Sequence, residues 1–247
     1  MSESKEPMTA PPTTLVTIEF SGVGSNQKFG QLIPEARVAD IHQVDPLKAH
    51  LDQSLSLSEH AGRIVDSVSG PAQLVLGLCS STALAVEVAA RLGGSGEPPP
   101  VVLLDPYQVD EALVRREFAT LLSNLGGEPE PVMEATQNIH GRDLLESLEE
   151  ALWTRRDFLV EMSGGEEAAD MAIYLLKRYR AWVRFLAASA EAPRCENHGR
   201  ITAVARGVNV DLPGIIFRGE LLSVEHFEKT EPEKSQEALR QLLLPAA

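Results

Sequence analysis

Apolar positions first cluster along the chain at residues 15–20, where Leu, Val, Ile and Phe make a β-rich run. It ends at Ser21-Gly22-Val23-Gly24-Ser25-Asn26, a loop of turn-forming residues. Residues 38–44 are a weaker strand candidate. Over residues 57–68 the spacing becomes helical: Ala61, Ile64, Val65 and Val68 share one face, Ser58 is placed to cap it, and Pro71 stops it. Residues 74–78 form a short apolar strand. Residues 80–92 form a helix of small residues closed by Gly93-Gly94, followed by a Gly/Pro loop to residue 100. Residues 101–104 read as another buried strand, ending at Asp105-Pro106.

The pattern then changes. Asp110 is placed to cap a helix whose apolar face carries Val114, Phe118, Leu121, Leu122 and Leu125, with Gly126-Gly127 as the stop. From there to about residue 190 only helical periodicity is visible, over 144–153 and 168–186; Ala172, Leu176, Tyr179, Val183 and Leu186 keep helical spacing. Strands return at 201–204 and 215–217, and Thr230-Glu231-Pro232-Glu233 opens a last helix with a capping-box pattern. Strands alternating with helices around one inserted helical block predict an α/β fold with a mostly parallel sheet and a helical subdomain. Trp153, Tyr174, Tyr179 and Trp182 are expected to pack that subdomain, and sequence does not separate packing from lining a channel.

Composition narrows the class. A length of 247 residues suits one full-sized domain, with residues 1–14, rich in Pro, Ser and Thr, expected to be flexible. No apolar stretch reaches the roughly 18 residues needed to span a bilayer, and no secretory signal pattern opens the chain. Two distant cysteines make no disulfide framework, so a cytoplasmic location is expected. The net charge of -14 argues against nucleic acid, since no basic stripe is available to displace counterions. Docking on an acidic protein would need a local patch, for which Arg155, Arg156, Lys177, Arg178, Arg180 and Arg184 are the candidates.

The sharpest chemical signal is Gly77-Leu78-Cys79-Ser80-Ser81, passing directly from strand to helix. Such a turn lifts one side chain above the sheet beside the positive end of a helix, and the next backbone N–H can help bind an oxyanion. The usual pattern is G-x-S-x-G; here Cys79 stands for Ser and Ser81 for the second Gly. Asp105 ends the next strand, where polar residues face the ligand crevice, and His226 follows near the C-terminus. Nucleophile, acid and base thus fall in the chain order of one hydrolase class, with the imidazole able to move the thiol proton and a carboxylate to hold its tautomer. Taken singly, each residue has a plain role: a buried small thiol, a turn aspartate, a solvated histidine. Asp211 is the second choice of acid. Cys195-Glu196-Asn197-His198 is a poor metal site without a second ligand pair.

Residues 74–92 resemble the nucleophile elbow of thioesterase domains from nonribosomal peptide and polyketide synthases. Residues 101–107 are similar to their next strand, which in the peptide-synthetase type ends in the triad aspartate, and His226-Phe227 to their histidine segment. The resemblance implies an α/β-hydrolase fold with a helical lid at about residues 128–190. It also implies a Cys79–His226–Asp105 triad, with an oxyanion hole from the backbone of Ser80 and of Val23 or Gly24. The expected activity is acyl transfer: an acyl or peptidyl group passes from a carrier-protein thioester to Cys79, then to water, an amine or a hydroxyl. The partner implied is an acyl or peptidyl carrier protein whose phosphopantetheine arm brings the substrate, and no metal or redox cofactor is implied. Cysteine for serine, Ser81 for glycine, and a loop without His-Ala-Gly-Gly are departures from the family. Two other readings stay open: a catalytically inactive, hydrolase-like binding protein, and a general esterase.

Overall fold

The computed structural model describes residues 14–21, 23, 40–48, 51–164, 166–192, 200–205 and 221–226. Within them lies a six-stranded sheet: β1 (Thr14–Ile18), β2 (Asp40–Val44), β3 (Ala72–Leu78), β4 (Val101–Leu104), β5 (Ile201–Ala205) and β6 (Leu221–His226). The strands run in the order β2-β1-β3-β4-β5-β6, and every neighbouring pair is parallel. β1 and β4 are buried along their whole length, and β3 over its last five residues. That is why these strands are mostly apolar without strict alternation: a parallel sheet covered on both faces leaves no solvated side to alternate with.

Between strands run α1 (Leu57–Ser67), α2 (Thr82–Gly93), α3 (Glu111–Asn124), α4 (Pro129–Thr136), α5 (Gly141–Trp153), α6 (Arg156–Ser163) and α7 (Glu166–Glu191). α1 is capped by Ser56, not Ser58. Ser56 accepts the Glu59 N–H and its own N–H donates to the Glu59 carboxylate at 2.8 Å, a capping box that the Ser58 assignment overlooked. Asp110 caps α3 as expected, accepting the Leu113 N–H at 2.7 Å. α4 and α6 had no counterpart in the sequence reading. α6 has no fully buried residue, so no periodic stripe marks it.

The helical block is present, but it is not uniformly peripheral. Met171 and Tyr174, near the start of α7, are exposed, whereas Leu176, Trp182, Val183, Phe185 and Leu186 are fully buried in the main core. Phe20, just after β1, lies 4.7 Å from the Trp182 ring and 4.6 Å from that of Phe185. The later turns of α7 therefore belong to the main core. Trp182 belongs to the core, while Trp153 and Tyr174 are at the surface.

The six basic residues considered for an acidic partner are engaged locally. Arg180 and Arg184 share Glu149, Lys177 meets Asp52 at 3.0 Å, and Arg178 is buried against Asp45. Arg155 donates to the Gly126 carbonyl at 2.9 Å, closing the end of α3 and lying over the Phe158 ring, and Arg156 lies 3.7 Å from Asp157. The strand expected at residues 215–217, the final helix and residues 1–13 of the stretch expected to be flexible lie outside the described residues; Thr14, the last residue of that stretch, is instead a buried residue of β1. Among the described residues, no helix is long and apolar enough to cross a membrane.

Candidate active site

Cys79 and Asp105 occupy equivalent places. Leu78 and Leu104 pair as the last residues of β3 and β4, so the two side chains leave the sheet side by side at its carboxyl edge. Both have left-handed backbone, φ 51° at Cys79 and φ 45° at Asp105, and they are the only non-glycine residues with positive φ among those described. That conformation costs a residue with a Cβ roughly 1–2 kcal/mol. Two such residues on adjacent strand ends mark a place where the backbone is bent to present side chains.

The elbow is built by its neighbours. At Gly77 a Cβ would fall 2.7 Å from that of Ala85, so glycine is what lets α2 cross β3 closely. Cys79 to Ser81 form a single 3-10 turn that leads into α2, and the Thr82 hydroxyl donates to the Cys79 carbonyl at 2.6 Å. Ser81, fully buried, fits without crowding. Its hydroxyl accepts the Leu78 N–H at 2.6 Å and lies 3.0 Å and 3.3 Å from the carbonyls of Leu78 and Ile18. It bridges the ends of β3 and β1, so here the second glycine of the pattern is replaced by a residue with a structural task. Ser80 is also buried, which leaves Cys79 as the half-exposed side chain of the turn.

Tyr107, which sequence reasoning did not single out, joins this group. Burial pushes its phenol up to about 12, against the pull of a hydrogen bond with the Ser80 side chain, and the neighbouring Cys79 adds to the rise. The hydroxyl therefore stays protonated at neutral pH, beside Ser80. The signal available in the sequence was its place two residues after Asp105, on the same strand-end loop.

Val23, the first candidate for the second oxyanion N–H, is described and buried; Gly24 lies outside the described residues. The approach to Val23 is held on several sides. The Ser21 N–H donates to Asp45 Oδ2 at 3.3 Å, and the Ser21 carbonyl accepts from Arg178 Nε at 2.6 Å.

His226 was expected in a loop after the last strand, but its backbone is the final residue of β6, a strand the sequence reading did not find. It pairs with Ala205, which follows Val204, the partner of Leu104. Cys79, Asp105, Ala205 and His226 thus occupy one row along the sheet edge. Strand spacing of about 4.8 Å puts the His226 backbone about 14 Å from that of Cys79 across three intervals. Of the other histidines, His42 meets Ser67 at 2.9 Å, His140 meets Glu111 at 2.9 Å, and His60 packs edge-on against Phe185. Cys195, His198 and Asp211 lie outside the described residues. Among the described residues, no group of three or more His, Cys, Asp or Glu could hold a metal ion.

A parallel sheet in this order, with a strained elbow between its third strand and the following helix and an aspartate ending the next strand, defines an α/β-hydrolase fold. Solved structures of that kind resemble the chain over nearly its whole length. An alpha/beta hydrolase family protein from Desulfitobacterium hafniense is 16% identical, with a TM-score of 0.55 over 95% of this chain and 97% of the other. The NocB thioesterase domain, solved as a covalent complex with a fluorophosphonate nocardicin G analogue, is 16% identical, with a TM-score of 0.52 over 95% and 96%. The RedJ thioesterase of the prodiginine pathway in Streptomyces coelicolor is 15% identical, with a TM-score of 0.51 over 98% and 92%. At these identities the likeness establishes the fold. No protein-family profile matches the chain, and no curated protein matches its sequence.

Proposed function

We propose that this chain is a thioesterase-like acyl-transfer enzyme with Cys79 as its nucleophile. The observation that carries the reading is the left-handed backbone at Cys79, which presents a half-exposed thiol at the carboxyl edge of the sheet while Ser80 and Ser81 are buried. In this mechanism His226 removes the Cys79 proton with Asp105 holding its imidazole, and the thiolate attacks the carbonyl carbon of a carrier-bound thioester. The resulting oxyanion accepts N–H bonds from Ser80 and from Val23 or Gly24. Collapse breaks the carbon–sulfur bond to the carrier, whose thiolate takes the proton from the imidazolium. Water, an amine or a hydroxyl then attacks the acyl-Cys79 thioester, giving its proton to the same imidazole; the carbon–sulfur bond to Cys79 breaks, and the leaving Cys79 thiolate takes the proton back from the imidazolium. No metal or redox group enters these steps, and the partner is an acyl or peptidyl carrier protein. The presence of thioesterases among the structural neighbours supports the choice of substrate class.

A second reading is a hydrolase-like binding protein without turnover, suggested by Ser81 in place of the second glycine of the elbow pattern. Brief iodoacetamide treatment near neutral pH separates the two. An enzyme should alkylate at Cys79 well before Cys195, and His226→Ala should remove that excess. Labelling of Cys79 no faster than Cys195 would overturn the catalytic reading in favour of the binding protein.

A further inference from the structure

Arg178 is a buried cation far from the elbow in sequence, on the half of α7 that enters the core. Its side chain is 6% exposed, and that of its partner Asp45, which follows β2, is 11% exposed. Arg178 Nη2 donates to Asp45 Oδ2 at 2.5 Å and Nε donates to the Ser21 carbonyl at 2.6 Å. Asp45 in turn accepts the Ser21 N–H on Oδ2 at 3.3 Å and the Leu47 N–H on Oδ1 at 3.1 Å. Both backbone polar groups of Ser21 are therefore fixed, one by each member of the ion pair. On the preceding residue, Phe20 is wedged against Trp182 and Phe185 of the same helix, and the Glu19 N–H reaches the Val44 carbonyl at 3.1 Å. Burying an ion pair costs several kcal/mol per ion in desolvation, so such a pair is poor evidence of a contribution to stability alone. Each member of this pair makes a hydrogen bond with the same exposed residue, Ser21, two positions before Val23.

Resting on the acyl-transfer reading above, we infer that Arg178, with Asp45, is a positioning residue that fixes the peptide units of Ser21 after β1, and thereby the oxyanion N–H offered from Val23. Arg178 acts through the peptide units of Ser21. The planar guanidinium is what the role requires, because one side chain must reach a carboxylate and a carbonyl in fixed directions. An oxyanion donor works only when held at the position the developing charge will occupy, and removal of one such donor costs about a hundredfold to a thousandfold in rate.

Alkylation of a thiol needs no oxyanion hole, whereas acylation by a thioester does, so the ratio of the two at Cys79 isolates this function. Hexanoyl N-acetylcysteamine thioester and iodoacetamide would be the two probes, with intact-protein mass spectrometry as the readout. Arg178→Lys keeps the charge but cannot hold both partners. It should slow Cys79 acylation tenfold or more and leave alkylation within about twofold of the parent. Arg178→Met with Asp45→Asn removes both charges, avoids stranding a buried carboxylate, and should show the same split. Equal slowing of both reactions, or no slowing of acylation, would overturn the positioning role. A parent protein that alkylates at Cys79 but never acylates there would fail the acyl-transfer reading itself, whatever the Arg178 variants do.

Discussion

Ser81 offers a direct measure of how the elbow is held. Its hydroxyl is fully buried, accepts the Leu78 N–H at 2.6 Å, and can donate to the carbonyl of Leu78 or of Ile18. Ser81→Ala deletes one oxygen and leaves the Leu78 N–H without this acceptor. A buried donor that loses its partner costs about 1–3 kcal/mol, more than the roughly 1 kcal/mol net value of an average hydrogen bond. Ser81→Gly, which restores the glycine of the G-x-S-x-G pattern, loses the same hydrogen bonds and should be destabilised to a similar extent, since Ser81 is the N-cap of α2, where glycine carries little penalty. Both variants are thus predicted to be less stable than the parent. Urea unfolding followed by circular dichroism should move the midpoint down with an unchanged slope, and thermal unfolding should fall by about 2–4 °C per kcal/mol for a chain of this size. If both variants unfold within about 0.5 kcal/mol of the parent, the bridging role of the hydroxyl is refuted. A glycine variant more stable than the parent would show that Ser81 strains the turn.

Two further outcomes follow from the titrating groups. Burial pushes the Glu149 carboxyl up, but the hydrogen bonds from Arg184 and Arg180 outweigh it and hold the group below the ordinary carboxylate range. Its contribution is therefore present above the unfolded value and lost as the pH falls through the folded one, so Glu149→Gln should flatten the acid-side loss of stability in urea titrations; an unchanged acid limb would count against it. For Tyr107 the sign is opposite. With the phenol raised to about 12, its contribution is complete below about pH 10 and is lost as the pH rises toward 12, by about 2–3 kcal/mol at most. Tyr107→Phe should narrow the stability gap between about pH 9 and about pH 11.5, and an equal gap in both proteins would sink the assignment.

The parts of this structure that were legible in the sequence are those whose signal is local and apolar. β1, β3 and β4 are buried on both faces and could be read as runs, and the period of Leu176, Val183 and Leu186 marked α7. The elbow was legible because a strand end, a run of small residues and a helix stand next to one another. What the period could not say is which side of α7 meets core, since a helix packs the same way under a lid as under a sheet. α4 and α6 were missed for the opposite reason: each is eight residues long, with Thr136 alone buried in α4 and no buried residue in α6. β6 was passed over in favour of residues 215–217, whose apolar run is the denser. The left-handed backbone at Cys79 and Asp105 has no sequence signature, because the strain is imposed by the packing around the turn. Arg178 and Tyr107 were visible only as types, a basic residue in a basic cluster and an aromatic after a proline, until the fold brought them to their partners.

α7 connects these observations. At 26 residues it is about 39 Å long, and it contains neither proline nor glycine, the usual causes of a kink. Its first turns lie against α6 and expose Met171 and Tyr174, its later turns fill the core with Trp182, Phe185 and Leu186, and Arg178 sits between. A straight helix passes displacement along its axis more readily than it bends. Movement of the outer turns relative to the sheet would therefore be felt first at the Arg178 contact with Ser21, before the aromatic packing behind it gives way. The natural place for such movement to be absorbed is Gly164, whose φ of 75° ends α6 and precedes α7. One helix thus carries the exposed outer turns, the side chain that fixes Ser21 and the aromatic residues that pack against Phe20.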